Sequence, residues 1–397
     1  MNHSCIQRIN LYLRQIKEKA ARGLRGEKLR LVVGSQAADL DSLVASIVYA
    51  FFKQLEGAEG WTVLPFMPIP RQDLRLRPEA LLLFQMTGLE QEWLVFADEL
   101  NLSTLLPVAP AVAPGGSSTA GWPKTLEVIA VDTDGRYLES PLRERIVEVL
   151  DHHAGRIRQA RSDARAAGAL RVVEPVGSAC TLVAERLLRH KPGIMDAGLA
   201  ILLAGPILLD TVNLDMKAGR SSPKDRRIAR CLLRIGRLEA AVFYAQLLEA
   251  KQDLPGLSTE EILRRDCKIG EAAGILYGVS SSPIPLRRWL EWDPDWEESL
   301  RQFLIDRGLD LLIVMIARQG EVFHRELIVC CPEPRLAERL SAYLETLPLE
   351  LREVNGPVHH GVRCYEQAAV GFSRKNLEPL LERFLQGQQA GSPEERL

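Results

Sequence analysis

Four apolar runs in this chain, LRLVVG, LEVIAV, RIVEVL and AILLAGPILL, each lead into acidic residues. Asp39 and Asp41 follow the first, Asp132 the second, Asp151 with His152 and His153 the third, and Asp210 the last. Amphipathic stretches separate these runs, and short apolar runs alternating with helix-like segments predict a parallel α/β sheet. In an open parallel sheet the carboxyl ends of the strands share one edge, where the ligand crevice lies. Elements ending at that edge would gather their acids. Clustered carboxylates repel one another unless they are protonated or neutralised by cations, so a metal is the economical counter-charge. Oxygen ligands with an imidazole favour Mg²⁺, Mn²⁺ or Co²⁺ over a thiolate zinc site, and this many ligands suit two ions sharing a carboxylate.

Each piece has a plainer reading when taken alone. Asp-x-Asp after a strand serves as a helix N-cap or loop, with Asp41 or Ser42 as the cap of the apolar-faced helix that follows. Asp132-Thr-Asp134 is an ordinary strand exit, Asp210 a solvent-facing helix end, and Asp-His-His a surface loop. What outweighs these readings is their joint occurrence, in order, each after an apolar element.

At 397 residues the chain has room for two or three domains at about 150 residues each. Its formal charge of −2 provides no broad positive field, which argues against duplex nucleic acid as a partner. The seven cysteines are odd in number and form no C-x-x-C pair, so they read as reduced thiols of a cytosolic compartment. Charge breaks every apolar stretch of the N-terminus, unlike a signal peptide. The longest apolar run, 197–209, falls short of the roughly 20 residues a bilayer demands. A cytoplasmic protein without membrane contact is expected.

Helical spacing predicts a leading helix over residues 4–25. Strands are expected at 29–33, 61–66, 93–96, 126–131, 146–150 and 170–173, with helices at 78–86 and 178–189. The Pro/Ala/Gly/Ser stretch 107–124 reads as a flexible insertion. A helical linker containing 224–238 leads to a second series, with strands at 311–317 and 326–329 and helices at 336–347 and 376–385. Two α/β domains follow from this pattern.

Asp39-Leu-Asp41-Ser42, Asp132, Asp151-His152-His153 and Asp210-Thr-Val-Asn213 resemble the four ordered motifs of the DHH phosphoesterases. Arg265-Asp-Cys-Lys268, Tyr277-Gly-Val-Ser280 and Ser373-Arg374-Lys375 are similar to the DHHA2 domain of family II pyrophosphatases, exopolyphosphatases and prune proteins. Ile69-Pro-Arg-Gln-Asp-Leu is prune- or exopolyphosphatase-like, and the likeness covers about residues 28–385. It implies a DHH catalytic domain over 26–235 with a mostly parallel sheet flanked by helices. A smaller α/β DHHA2 substrate-binding domain would span 255–388, with the active site in the cleft between the two.

The resemblance also implies roles. Asp39 would hold one divalent cation and Asp41, His152 and Asp210 the other, with Asp132 bridging and a shared water acting as nucleophile. His153, Arg265, Lys268, Arg374 and Lys375 would bind substrate. The implied activity is an exopolyphosphatase releasing orthophosphate from short inorganic polyphosphate, with Mn²⁺ or Mg²⁺ as cofactor and Co²⁺ as a further candidate. A prune-like cyclic-nucleotide phosphodiesterase and a regulatory binding protein with a weakened site are the alternatives, and protein partners are unknown. Ser35 stands where the family carries His or Asn, Thr133 where His or Asn is common, and Asn376 where the family's Ser-Arg-Lys-Lys has its second Lys. Arg71 and Arg77 read as lining a phosphate channel or as a solvated loop, His359 and His360 as a surface loop, and Gly177-Ser178 as a cap or a phosphate contact.

Overall fold

The computed structural model describes residues 3–57, 60–105, 123–153, 169–254, 256–318, 324–354 and 361–387, apart from the side chains of residues 103, 104, 318 and 375. The chain divides into two compact units, Met1–Asp253 and Leu254–Leu397.

The first unit is built on β1 (Lys28–Val33), β2 (Trp61–Met67), β3 (Val95–Phe96), β4 (Thr125–Val131), β5 (Ile146–Asp151) and β6 (Leu170–Val173). They form one sheet in the order β3-β2-β1-β4-β5-β6, with every neighbouring pair parallel. Parallel strands are covered on both faces, which is why β1 and β4 end in continuous buried apolar residues rather than alternating ones. The strand order reverses between β1 and β4, and such a switch point opens a crevice beyond the strand ends.

Helix Leu40–Leu55 connects β1 to β2 and is buried along almost its whole length, Leu43, Val44, Ile47, Val48 and Phe51 included. Helix Pro78–Thr87 follows β2, and helices Ala179–His190 and Ala197–Asp210 follow β6. The leading helix, Cys5–Arg22, packs Ile6, Ile9, Leu13 and Ile16 into the same core. So do Leu232 of helix Pro223–Gly236 and Phe243 and Leu247 of helix Ala240–Gln252. Each such side chain contributes about 1.5–3 kcal/mol on burial. The segment expected to be a helical linker therefore belongs to the first core. Its apolar stripe was visible in the sequence, but the surface that receives the stripe was not.

The second unit carries a sheet in the order β11-β12-β10-β9-β8-β7. Its strands are β7 (Cys267–Ala272), β8 (Ile275–Ser282), β9 (Leu311–Arg318), β10 (His324–Cys330), β11 (Leu351–Glu353) and β12 (Val362–Gln367). Only β8 and β9 pair in parallel, and the remaining pairs are antiparallel. The β7–β8 hairpin adds two antiparallel strands ahead of the expected series. Its turn is Ala273-Gly274, both residues at positive φ (51° and 79°), a tight-hairpin geometry that a lone Gly signals weakly. Leu340 and Leu344 of helix Pro334–Thr346 and Leu377 and Leu381 of helix Arg374–Leu385 cover one face of this sheet with Ile313, Met315 and Leu327.

Most of the expected insertion, and both His359 and His360, lie outside the described residues. All seven cysteines are free thiols, and burial pushes those of Cys5, Cys267 and Cys330 up to about 12. Among the described residues no helix is long and apolar enough to cross a membrane.

Candidate metal centre

The loop after β1 is shaped by close packing against the helix it enters. A Cβ on Gly34 would sit 2.1 Å from Ser42 Oγ, and the Ser35 amide donates to that same oxygen at 2.5 Å. Ala38 takes a left-handed φ of 43°. Asp39, not Asp41 or Ser42, is the N-cap: its Oδ1 accepts from the Ser42 amide at 3.0 Å. Asp41 therefore falls in the first helical turn, where the helix N-terminus favours a carboxylate.

Asp41 is 2% exposed, and its two oxygens accept from Ser178 Oγ (2.6 Å), the Ala179 amide (2.6 Å) and the Cys180 amide (2.9 Å). These amides open helix Ala179–His190, so the carboxylate occupies a helix N-terminal anion site. Gly177-Ser178 is thus a cap, and the anion it faces is a side chain of the chain itself. Burial, then the neighbouring Asp132, push the Asp41 carboxyl up to about 6, while His152 pulls the other way.

Asp132 follows β4 with a left-handed φ of 60°, a region Asp tolerates better than most residues, and it is 3% exposed. Its amide donates to Leu150 O at 2.8 Å, which fixes the turn against β5. Asp151 closes β5, fully buried, and its Oδ1 accepts from the His152 amide (2.8 Å) and the His153 amide (3.3 Å). His153 Nδ1 lies 2.6 Å from that oxygen, and His152 Nδ1 lies 2.9 Å from Val176 O. A ring that commits Nδ1–H to an acceptor presents Nε2 as the ligand atom, the outer-shell pattern of metal-binding histidines.

His152 Nε2 is 3.1 Å from Asp132 Oδ1 and 3.9 Å from Asp41 Oδ2. Ligand atoms of Asp132, His152 and His153 all lie within 4.8 Å of one another. His153, expected as a phosphate donor, thus joins the group that could hold a cation. Asp210 is the last residue of helix Ala197–Asp210, which runs through Pro206, so the fourth apolar element is a helix. Val212, Asn213 and Leu214 then turn the chain with φ of 52°, 54° and 63°. Asp41, Asp132 and Asp210 all act electrostatically on the buried Cys180 thiol, which burial first of all pushes well above its ordinary value.

Several residues take supporting roles that differ from their sequence readings. Arg77, neither a channel wall nor a solvated loop, is 2% exposed; it donates to Ala38 O (2.9 Å), Ala37 O (2.5 Å) and Asp73 O (2.7 Å). It braces the backbone just before Asp39. Arg71 is a structural ion pair with Glu99 at 2.6 Å. Thr133 closes its own turn by accepting from the Gly135 amide at 3.1 Å, and Asp134 pairs with Arg136 at 2.8 Å.

In the second unit, Arg265 ends helix Thr259–Arg265 and is buried, and Lys268 lies on β7 opposite Val279. Arg374 opens the last helix and is held at 2.8 Å by Asp266 Oδ1 and at 3.4 Å by Glu378. The structure thus brings Arg374 to the 265–268 segment. Asn376 accepts from the Ser373 amide at 2.9 Å, so this departure from the family pattern caps the helix start. The Lys375 side chain lies outside the described residues.

A doubly wound sheet with carboxylates and imidazoles gathered at its switch point defines a metal-binding α/β class. Residues 245–384 match the family model described as the DHHA2 domain. Exopolyphosphatase PRUNE1 of Homo sapiens is 30% identical over 375 residues, covering 90% of this chain and 76% of that protein. A cobalt-dependent inorganic pyrophosphatase of Clostridium perfringens is 27% identical over 171 residues, 42% of this chain and 30% of its own length. The solved structure of a candidate family II inorganic pyrophosphatase of Methanococcus jannaschii matches with a TM-score of 0.59 at 21% identity, over 90% of this chain and 99% of that one. The chain belongs to the prune and exopolyphosphatase branch of the DHH phosphoesterases.

Proposed function

We propose that this chain is a divalent-cation-dependent phosphoanhydride hydrolase, an exopolyphosphatase that releases orthophosphate from the end of short inorganic polyphosphate. The observation that carries this reading is the pairing of His152 Nε2 with Asp132 at 3.1 Å while the far ring nitrogen is committed to Val176 O. The donor set fits a pair of divalent cations, Mn²⁺ or Mg²⁺: buried carboxylates crowd one another, and an imidazole offers its ligand nitrogen among them. Bound cations at such a cluster supply charge stabilisation at phosphoryl oxygens and acidify a water.

Asp39, Asp41, Asp132, His152 and Asp210 hold the cations. His153, oriented by Asp151, either adds a ligand or, protonated, donates to a phosphate oxygen. Arg265, Lys268, Arg374 and Lys375 of the second unit bind the phosphate chain, where Arg offers a bidentate fork and Lys a point charge. A departing phosphate is already a stable anion, so positioning and charge stabilisation supply most of the rate.

The test is phosphate release from tripolyphosphate, pyrophosphate and 3′,5′-cyclic AMP with Mg²⁺, Mn²⁺ or Co²⁺, for wild type beside Asp132→Ala. Tripolyphosphate should be preferred, and the variant inactive. Faster release from pyrophosphate would place the activity in the other branch. Equal low rates for both proteins would leave a binding protein.

A further inference from the structure

The expected cation ligands are not held in place by one another alone. The turn Val176–Cys180 touches two of them at once: Val176 O receives His152 Nδ1, and Ser178 Oγ with the Ala179 and Cys180 amides grips Asp41. The same turn packs against Thr211, the residue after Asp210: a Cβ on Gly177 would lie 2.4 Å from Thr211 Cγ2. What fastens the turn is Asp225. It is 0% exposed, its Oδ2 accepts from the Gly177 amide at 2.8 Å and the Ser222 amide at 2.7 Å, and its Oδ1 accepts from Thr181 Oγ1 at 2.6 Å. Ser222 and Asp225 also form the capping box of helix Pro223–Gly236, so the anchor is itself rigidly mounted.

We propose that Asp225 is a positioning residue for the metal centre: by tying the Val176–Cys180 turn to helix Pro223–Gly236, it sets His152 and Asp41 at ligand distance together. The inference rests on the metal reading above and adds a residue that reaches no substrate. A helix cap alone would be served by the bond to Ser222. The bonds to Gly177 and Thr181 lie 48 and 44 residues away in sequence, and they reach the turn and the helix that hold the ligands.

Mn²⁺ binding to the full chain, followed by electron paramagnetic resonance, tests the proposal together with metal-free melting temperatures. Asp225→Ala should weaken Mn²⁺ binding by about tenfold, the lower end of what losing a group bonded directly to a ligand costs, since Asp225 acts through the turn that bonds two of them. Asp225→Asn keeps an oxygen for both amides and turns its NH₂ to the Thr181 hydroxyl, so it should stay within about threefold of wild type. A residue with a purely structural role would lower the melting temperature in Asp225→Ala and leave Mn²⁺ affinity alone. A folded Asp225→Ala that binds within about twofold of wild type overturns the proposal, as does an Asp225→Asn as weak as the alanine variant. Should Asp225→Ala not fold, Gly177→Ala pushes the turn off its anchor, because the added Cβ would meet Thr211 Cγ2 at 2.4 Å, Arg220 O at 2.5 Å and Asp225 Oδ2 itself at 3.3 Å: lost Mn²⁺ affinity supports the anchor, and wild-type affinity overturns it. A wild-type protein that binds no Mn²⁺ sinks the metal reading itself, a result distinct from a variant that binds normally.

Discussion

The two units treat charge in opposite ways. In the first, parallel strands deliver Asp132 and the Asp151-His152-His153 group to one sheet edge, and the helix after β1 adds Asp39 and Asp41. Crowding there is left standing, and the Asp41 carboxyl is pushed up to about 6. In the second, a basic residue sits among its own acids, with Arg374 held between Asp266 and Glu378. On the proposed function, the first region takes up positive charge to relieve its repulsion, and the second exchanges an internal ion pair for a phosphate. The contrast then separates a proposed cation site, whose loss should abolish chemistry, from a proposed anion site, whose loss should weaken affinity.

The sharpest way to break this contrast is at its acidic end. Asp132→Ala should lower phosphate release from tripolyphosphate by about a hundredfold or more, at the upper end of what the loss of a metal-shell residue costs. Retention of a tenth of wild-type turnover would remove Asp132 from the centre. At the basic end, Arg374→Ala should raise KM about tenfold, roughly 1.4 kcal/mol, with kcat within about threefold. A fall in kcat at constant KM would mean that Arg374 acts on the transition state and that the two regions share one role.

Acidity sharpens the comparison further. Asp41 keeps its proton in the fold to a higher pH than its ordinary value of 3.8, and a cation must displace that proton. Mn²⁺ affinity should therefore hold above about pH 6 and fall severalfold by pH 5, read by calorimetric titration. Without metal the sign is opposite for stability. Between 3.8 and about 6 the folded chain binds this proton more tightly than the unfolded chain, so the contribution is lost as pH rises through that window. The smallest effect belongs to Ser35. Its Oγ is buried without a hydrogen-bond partner among the described residues, so Ser35→Ala should shift stability by less than about 1 kcal/mol in a urea melt. A larger loss, or weakened Mn²⁺ binding, would make the hydroxyl a participant in the acidic region.

Much of the candidate site was legible because its residues sit at ends of apolar elements. β1, β4 and β5 declare themselves through Leu29, Val32, Val131 and Leu150, and the acids follow at once. Asp210 closes an apolar run that is a helix, as its reading as a helix end anticipates. The bracing role of Arg77 and the anchoring role proposed for Asp225 were illegible because the bonds that matter join segments far apart. Arg77 to Ala38 spans 39 positions and Asp225 to Gly177 spans 48. The β7–β8 hairpin is hard to read from the sequence because its polar residues, Lys268 and Glu271 among them, dilute the strand pattern.

The order of acids and imidazoles along the chain determined the class of chemistry, because ligand identity is a property of side chains and needs no coordinates. Which nitrogen of His152 faces Asp132, which amides grip Asp41 and what anchors the turn between them were decided only by tertiary packing. Those are relations of distance and direction, and a linear pattern of residues carries neither.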